Sequence, residues 1–164
     1  MSQYICVDIG GTSIKHGVLD ENAIIKECNQ TKTEAWLGGA AVLDKVKTIG
    51  KQYKEQYENI EGICISTAGM VDPEEGKIVF AGELMPGYTG TCIKKELEKA
   101  LEMPCEVEND VNCAGLAEYV SGSAKESHIM FCATVGTGIG GCAIVNGRVF
   151  HGASNSACEV GYIP

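Results

Sequence analysis

The sequence lacks the features that mark several large classes of protein. It has no block of lysines and arginines, and 22 acidic residues outnumber 13 basic ones, for a net charge of −9. Binding to nucleic acid or to an anionic membrane is therefore not expected, because both depend on a basic surface. Apolar runs also fall short of the roughly 18 residues that a membrane-spanning helix needs.

Motifs that hold metals or disulfides are missing too. None of the nine cysteines forms a CxxC or CxxH motif, and their number is odd. Several lie in apolar runs predicted as strands, such as YICVDI at 4–9 and GICIST at 62–67. No signal peptide is predicted. Buried, reduced thiols in a cytoplasmic protein are therefore favoured over a disulfide framework or a zinc site.

The hydrophobic pattern of the first 120 residues predicts an α/β domain with a mixed sheet. Residues 3–9, 14–19 and 23–29 read as three hairpin-linked strands. A helix is predicted at 36–57, and an apolar strand at 60–66 that lies parallel within the sheet. The elements predicted next are a strand at 78–81, a helix at 93–101, a strand at 104–107 and a helix at 111–120.

The opening architecture then repeats. Strands predicted at 128–135, 142–145 and 148–150, with a glycine loop and an Asn-Gly turn between them, echo the first three strands. We therefore predict a first domain at 1–122, a linker around 121–127 and the beginning of a second, similar domain at 123–164. Only about forty residues remain for that second domain, which is below the usual size. We expect the chain to be part of a longer protein.

Glycine is abundant, at 21 of 164 residues, about twice the typical ~7%. GTGIGG at 136–141 matches the dinucleotide fingerprint GxGxxG, but a strand and an Asn-Gly hairpin follow it instead of the required helix. The Walker pattern GxxxxGK[ST] is missing as well. A Rossmann or P-loop site is therefore not predicted.

The loop DIGGTSIK at 8–15 has the same form as GTGIGG, a strand followed by a glycine turn and a second strand. Gly10, Gly11 and Thr12 could approach a phosphate, Lys15 adds positive charge, and Asp8 could hold Mg²⁺. For one such loop alone, a tight hairpin with a turn aspartate is the better interpretation. Two such loops in related domains favour a nucleotide held between them.

Three polar residues lie between the strand predicted at 104–107 and the helix predicted at 111–120. They are Glu108, Asn109 and Asp110. A helix cap, a metal site and a catalytic base are all possible at this position. From the local residues alone, a cap at Asp110 is favoured.

Five motifs occur in the order DIGGTSIKHG, ISTAGMVDP, ENDVNCAGLAE, GTGIGG and GASNSACEVGY. Together they resemble the ROK family (repressors, uncharacterised frames, sugar kinases), and the β-glucoside kinase type most closely. The resemblance implies an actin-like, ribonuclease H-like ATPase fold with two lobes and a cleft. It also implies ATP, Mg²⁺, a hexose or glucoside substrate, and a homodimer.

The same resemblance assigns roles to individual residues. Asp110 matches the family's catalytic base, and Asn109, Glu159 and Gly69 match positions that contact the sugar. The two phosphate loops correspond to Gly10, Gly11 and Thr12 and to Gly136, Thr137 and Gly138.

Two departures from the family pattern bear on specificity. Tyr162 stands where the family usually has a histidine that contacts sugar and ligates zinc, so no zinc is expected. Glu83 stands where the family often has asparagine, so the preferred sugar is left open.

Three functions are carried forward. The leading one is a cytoplasmic ATP-dependent sugar kinase, and the rivals are a sugar-binding regulator without turnover and a nucleotide-hydrolysing actin-like protein. Regulators of the family carry a DNA-binding segment ahead of the first strand; here that strand starts within a few residues of Met1, so no such segment is expected, which favours the kinase. We expect the 164-residue chain alone to be inactive, because its second lobe is incomplete.

Overall fold

The computed structural model describes residues 1–136 and 138–162, and the backbone alone at Tyr162. These residues form two compact units, Met1–Glu108 and Asn109–Pro164. The predicted domain boundary after residue 122 stays a prediction.

The first unit is built around a mixed sheet. Its elements are, in chain order, β1 (Gln3–Ile9), β2 (Ser13–Asp20), β3 (Ile25–Lys32), α1 (Gly39–Gln56), β4 (Ile60–Thr67), β5 (Met70–Asp72), β6 (Lys77–Phe80), α2 (Ile93–Leu101) and β7 (Cys105–Asn109). Five strands form one sheet in the order β3-β2-β1-β4-β7. β1 is antiparallel to β2 and parallel to β4, as the pattern predicts. β5 and β6 form a separate hairpin, of which only the second strand, near 78–81, was predicted.

One face of this sheet carries the core. Alternate residues of β1, Ile5, Val7 and Ile9, are buried, because side chains alternate between the two faces of a strand. The apolar stripe of α1 and the stripe of α2 pack into the same cluster as these strand residues. The residues that α1 buries from Val42 to Tyr53 recur at helical spacing, which is the pattern of an amphipathic helix.

The predicted helix over 36–57 is interrupted near its start. A short 3₁₀ turn, Ala35–Leu37, precedes Gly38, whose φ of 89° lies in the left-handed region, and α1 begins only at Gly39. A Cβ atom at Gly38 would lie 2.8 Å from the Pro86 carbonyl oxygen. The break therefore lets the loop around residues 86–88 pack against the start of α1.

The thiols are less buried than predicted. Among the described residues none of the nine cysteines is in a disulfide, but only Cys105 and Cys142 are buried, while Cys28 and Cys64 are exposed. The prediction of buried thiols is wrong for the latter two. Both helices of the first unit pack on the Ile5 face of the sheet, and Cys64 lies on the opposite face.

The second unit begins with a helix. Its elements are α3 (Asp110–Ser121), β8 (Ile129–Val135), β9 (Ile139–Val145) and β10 (Arg148–Val149). The strands form an antiparallel sheet in the order β10-β9-β8, which mirrors the order β3-β2-β1 of the first unit. The predicted repetition of the opening architecture is thus confirmed. Within the described ranges, no helix has both the length and the apolar character needed to cross a bilayer.

Candidate functional site

The site residues of the first unit lie at one edge of its sheet. β1 and β4 are parallel neighbours, so their carboxyl ends meet at the partners Ile9 and Thr67. Asp8 and Gly10 come from the end of β1, and Gly69 from the turn after β4. The Ala68 amide donates to the Ile9 carbonyl at 3.3 Å and ties that turn to β1.

Asp8 has neighbours on both sides. It is half-buried and is the register partner of Lys15 on β2 and of Ser66 on β4. The Ser66 hydroxyl donates to Asp8 Oδ1 at 2.8 Å, which orients the carboxylate. Ser66 was not singled out by sequence reasoning, although its position in ISTAG, opposite DIGG, carries the signal.

The first glycine loop is a tight turn with an open outer surface. The Gly10 amide donates to the Ser13 carbonyl at 3.0 Å, and a Cβ at Gly10 would come within 3.0 Å of that same oxygen. Gly11 and Thr12 are exposed, and a Cβ at Gly11 would meet nothing within 4 Å. A ligand can therefore approach the backbone of Gly11 and Thr12 closely.

A residue outside the motif supports this turn. Thr33 is fully buried, and its hydroxyl donates to the Gly10 carbonyl at 2.6 Å. Its amide donates to the Thr12 carbonyl at 3.1 Å. Nothing in the sequence singles out Thr33, because its role depends on where β3 ends relative to the turn.

The turn at Gly69 needs glycine. Its φ of 102° is in the left-handed region, and a Cβ would lie 2.7 Å from the Phe80 carbonyl oxygen. Just before it, the Thr67 hydroxyl hydrogen-bonds the Tyr88 hydroxyl at 2.8 Å in the core. Burial raises the pKa of Tyr88 to about 12, so this phenol stays protonated. The loop that contains Tyr88 and the exposed Glu83 is thereby anchored to the end of β4.

In the second unit, the polar residues cluster at the start of α3. The cap of this helix is Asn109, whose Oδ1 accepts from the amides of Val111 at 2.9 Å and Asn112 at 3.1 Å. The prediction that Asp110 is the cap is therefore corrected by one residue. Asp110 is the first helical residue, since the backbone of Asn109 is extended and that of Asp110 is helical.

Asp110 is held in a defined orientation. Its Oδ1 accepts from Asn109 Nδ2 at 3.0 Å and from the Val111 amide at 2.9 Å. Burial first, and the charge of Asp110 second, raise the pKa of Glu159, so the two carboxyl groups are close enough to interact. Asn109 contacts Asp110 directly. The sugar-binding and catalytic roles of these three residues stay predictions.

Glycines position Glu159 against β9. A Cβ at Gly141 would lie 2.5 Å from the Cys158 carbonyl oxygen, and one at Gly161 would lie 2.2 Å from that of Ile139. The segment 158–161 can therefore pack this closely on β9 only because glycine stands at position 141 on the strand and at position 161 in the segment. Sequence reasoning assigned Gly141 only to a nucleotide-like pattern and missed this packing role.

The second glycine loop is open. The Gly136 amide donates to the Gly138 carbonyl at 2.9 Å, and a Cβ at either glycine would meet nothing within 4 Å. Thr137 lies outside the described residues. Lys15 is exposed on β2, so its predicted phosphate contact stays a prediction.

Comparison with known proteins relates this chain to one family over nearly its whole length. The ROK family model matches residues 4–164. The chain is 53% identical to an uncharacterized protein of Clostridium perfringens, over 99% of this chain and 55% of that protein. It is 33% identical to a beta-glucoside kinase of Listeria monocytogenes, over 95% of this chain and 51% of the kinase.

The fold has a solved counterpart. A ROK family glucokinase from Streptomyces griseus, in complex with glucose and AMPPNP, superposes with a TM-score of 0.86 at 30% identity, over 99% of this chain and 50% of that one. The predicted fold, an N-terminal actin-like ATPase domain with a mixed sheet, is confirmed. The chain spans about half the length of the curated relatives it matches.

Proposed function

Because the chain belongs to the ROK family, we propose that it supplies the catalytic base and both phosphate loops of an ATP-dependent sugar kinase. The acceptor is a hydroxyl of a hexose or glucoside. Relatives named as sugar kinases at about 30% identity support this reading.

The observation that carries the proposal is the arrangement at the start of α3. Asp110 is oriented by two hydrogen bonds, next to an amide and a second carboxyl group. A sugar hydroxyl needs paired donors and acceptors of this kind around it. A nucleotide-hydrolysing protein, which activates only water, has no comparable need for Asn109 and Glu159.

In this proposal Asp110 accepts the proton of the sugar hydroxyl as that oxygen becomes bonded to phosphorus. Phosphoryl transfer depends mainly on positioning and charge stabilisation, so the orientation of Asp110 is the property that matters most. Asn109 keeps the base oriented through its 3.0 Å hydrogen bond. Glu159 contacts the sugar in this proposal, and a sugar contact at Gly69 stays what the family resemblance implies.

The glycine turns hold the phosphate groups. The open surface above Gly11 and Thr12 leaves room for an anion, and the turn amides and the Thr12 hydroxyl are suitable donors. Bound ATP with Mg²⁺ would supply the phosphoryl group and neutralise part of its charge. The half-buried carboxylate of Asp8 is the type of ligand that Mg²⁺ takes directly or through water. Lys15 and the loop at 136–138 add to phosphate binding.

The test is an ADP-release assay on the protein as its gene encodes it, with a panel of hexoses and β-glucosides. Stimulation of ADP release by a sugar, abolished in Asp110→Asn, is the expected result. The matched control is Asp44→Asn, since Asp44 is an exposed acid on α1. Sugar binding without turnover would favour the regulator, and ATP turnover that no sugar stimulates would favour the hydrolase.

Four expectations stay predictions of the same proposal. The 164-residue chain by itself should not phosphorylate sugar. The protein should be a cytoplasmic homodimer without zinc. Sugar turnover by the 164-residue chain, a monomeric mass by light scattering or stoichiometric zinc by elemental analysis would each contradict the corresponding expectation.

A further inference from the structure

Two thiols lie side by side on the sheet face that carries no helix of the first unit. Cys6 on β1 and Cys64 on β4 are register partners on neighbouring parallel strands. Partners in a sheet point to the same face, and this face is opposite to the one that buries Ile5, Val7 and Ile9. Cys64 is exposed and Cys6 is partly exposed, so small reagents in solution can reach the pair.

The two sulfur atoms interact. A hydrogen bond with the Cys6 thiol lowers the pKa of Cys64 to about 7, against the opposing effects of burial and of the Glu106 charge. The thiolate is the reactive form of cysteine, and an ordinary thiol has a pKa of about 8.5. At neutral pH Cys64 therefore carries roughly tenfold more thiolate than an ordinary cysteine.

We propose that Cys64 is a site of oxidation by peroxides and that Cys6 is its resolving partner. The Cys64 thiolate attacks one peroxide oxygen, the O–O bond breaks, and the departing hydroxide is protonated to water, which leaves a sulfenic acid. The Cys6 sulfur then attacks the Cys64 sulfur and forms the S–S bond. The sulfenic oxygen leaves as water with the Cys6 proton. In total, two thiols lose two electrons and one peroxide is reduced to two waters.

Strand geometry allows the Cys6 sulfur to attack the sulfenic acid at Cys64. Neighbouring strands are about 4.7–4.9 Å apart, and disulfides join Cα atoms about 4.4–6.8 Å apart. The Cβ atoms must approach to about 3.8 Å, so the strands have to shift slightly. Attack by Cys6 should therefore be slower than formation of the sulfenic acid, which makes the intermediate trappable.

The fold contains its own control pair. Cys132 on β8 and Cys142 on β9 are also register partners, and β8 repeats the position of β1. Cys142 is fully buried, however, with no exposed surface. This pair also joins neighbouring strands, although β8 and β9 are antiparallel whereas β1 and β4 are parallel. Cys132 is only partly exposed and Cys142 is buried, so neither thiol is as accessible as Cys64.

The experiment treats the reduced protein, as its gene encodes it, with one equivalent of hydrogen peroxide, alkylates the remaining thiols with iodoacetamide and digests with trypsin. Cys6 and Cys64 are the only cysteines of their peptides, 1–15 and 55–77. Mass spectrometry should find these two peptides joined, short of the two thiol hydrogens. The Cys132–Cys142 pair, in peptide 126–148, should react about tenfold more slowly or not at all.

Single variants identify the order of events. Cys6→Ser should leave a sulfenic acid at Cys64 that a 1,3-diketone traps, whereas Cys64→Ser should leave Cys6 reduced. Cys92→Ser, a change at a partly exposed cysteine outside the sheet, should leave the reaction unchanged. Circular dichroism confirms that each variant is folded.

Two results would overturn the proposal. One is full alkylation of Cys6 and Cys64 after peroxide while other cysteines are oxidised. The other is a disulfide that appears only between two chains on a non-reducing gel. Neither outcome depends on whether the chain phosphorylates sugar.

Discussion

Thr33 donates its hydroxyl hydrogen to the Gly10 carbonyl at 2.6 Å, from a position that is completely buried. The two residues are separated in the sequence by the whole of β2 and β3, so only the hairpin geometry brings them together. The amide of Thr33 also holds the Thr12 carbonyl. The first glycine loop therefore owes its shape to a residue outside its own motif.

Replacing Thr33 by valine should weaken both the fold and nucleotide binding. Valine keeps the size but leaves the Gly10 carbonyl without its partner, which costs about 1–3 kcal/mol of unfolding free energy. Urea unfolding measures the loss, and AMPPNP titration measures the affinity. Thr33→Ser keeps the hydroxyl and should retain most of both. Equal loss in the serine and valine variants would mean that the methyl group matters and the hydrogen bond does not.

Replacing Asp110 by asparagine should remove catalysis and spare the fold. The amide oxygen can still accept from the Val111 amide, so the start of α3 is kept. Loss of a general base lowers turnover by about 10²–10⁴-fold, while sugar affinity should change much less. ADP release and sugar titration on the protein as its gene encodes it separate the two quantities. Near-normal turnover in this variant would contradict a role for Asp110 as base.

Glu159 should make the chain less stable as the pH rises. Its folded pKa is raised above the ordinary 4.5 by burial first and by the Asp110 charge second. At a pH between the ordinary pKa and the raised folded pKa, Glu159 binds its proton more tightly in the folded chain than in the unfolded chain. The stabilising contribution of the protonated form is therefore complete below 4.5 and is lost as the pH rises through the folded pKa.

Glu159→Gln removes this titration. Its urea midpoint, measured from about pH 4 to about pH 8, should exceed that of the parent chain near neutrality and vary less with pH. Glu55→Gln, at an exposed position on α1, is the control and should follow the parent curve. A variant curve parallel to the parent curve would show that Glu159 is not perturbed.

Close packing of α3 on β9 can be tested at Gly115. A Cβ there would lie 2.7 Å from Cys142 Sγ, so Gly115→Ala should cost about 1–3 kcal/mol of unfolding free energy. Cys142→Ala in the same chain removes the clashing sulfur, and the double variant should lose less than the sum of the singles. Gly138→Ala is the control, because its Cβ would meet nothing within 4 Å.

Much of the architecture could be read from periodicity. The stripe at Val42, Val46, Ile49 and Tyr53 repeats at helical spacing, and those side chains are the ones α1 buries. Helix α2 was predicted with its observed bounds, Ile93–Leu101, since its amphipathic pattern stops just before Pro104. Local patterns sufficed here because each element buries a single stripe against one neighbour.

Predictions failed where a distant residue decides the outcome. The break at Gly38 depends on the Pro86 carbonyl, nearly fifty residues away. Of the small residues on α3, only Gly115 is buried, and Ala117 is exposed, because only one side of the helix packs on β9. The cap was placed one residue late, because Asn and Asp cap about equally well and only the backbone distinguishes them.

By itself, the sequence determined the order of the main strands and helices, the repeated strand and glycine-turn unit, and the residue types at Asp8, Asn109, Asp110 and Glu159. These follow from periodicity and motif, which act over a few neighbouring residues. Tertiary structure alone decided that Ser66 and Thr33 support the first loop, that Glu159 lies near Asp110, and that Cys64 is exposed beside Cys6. Strand register and the placement of helices on one sheet face set those relationships, and neither is encoded in a local stretch of sequence.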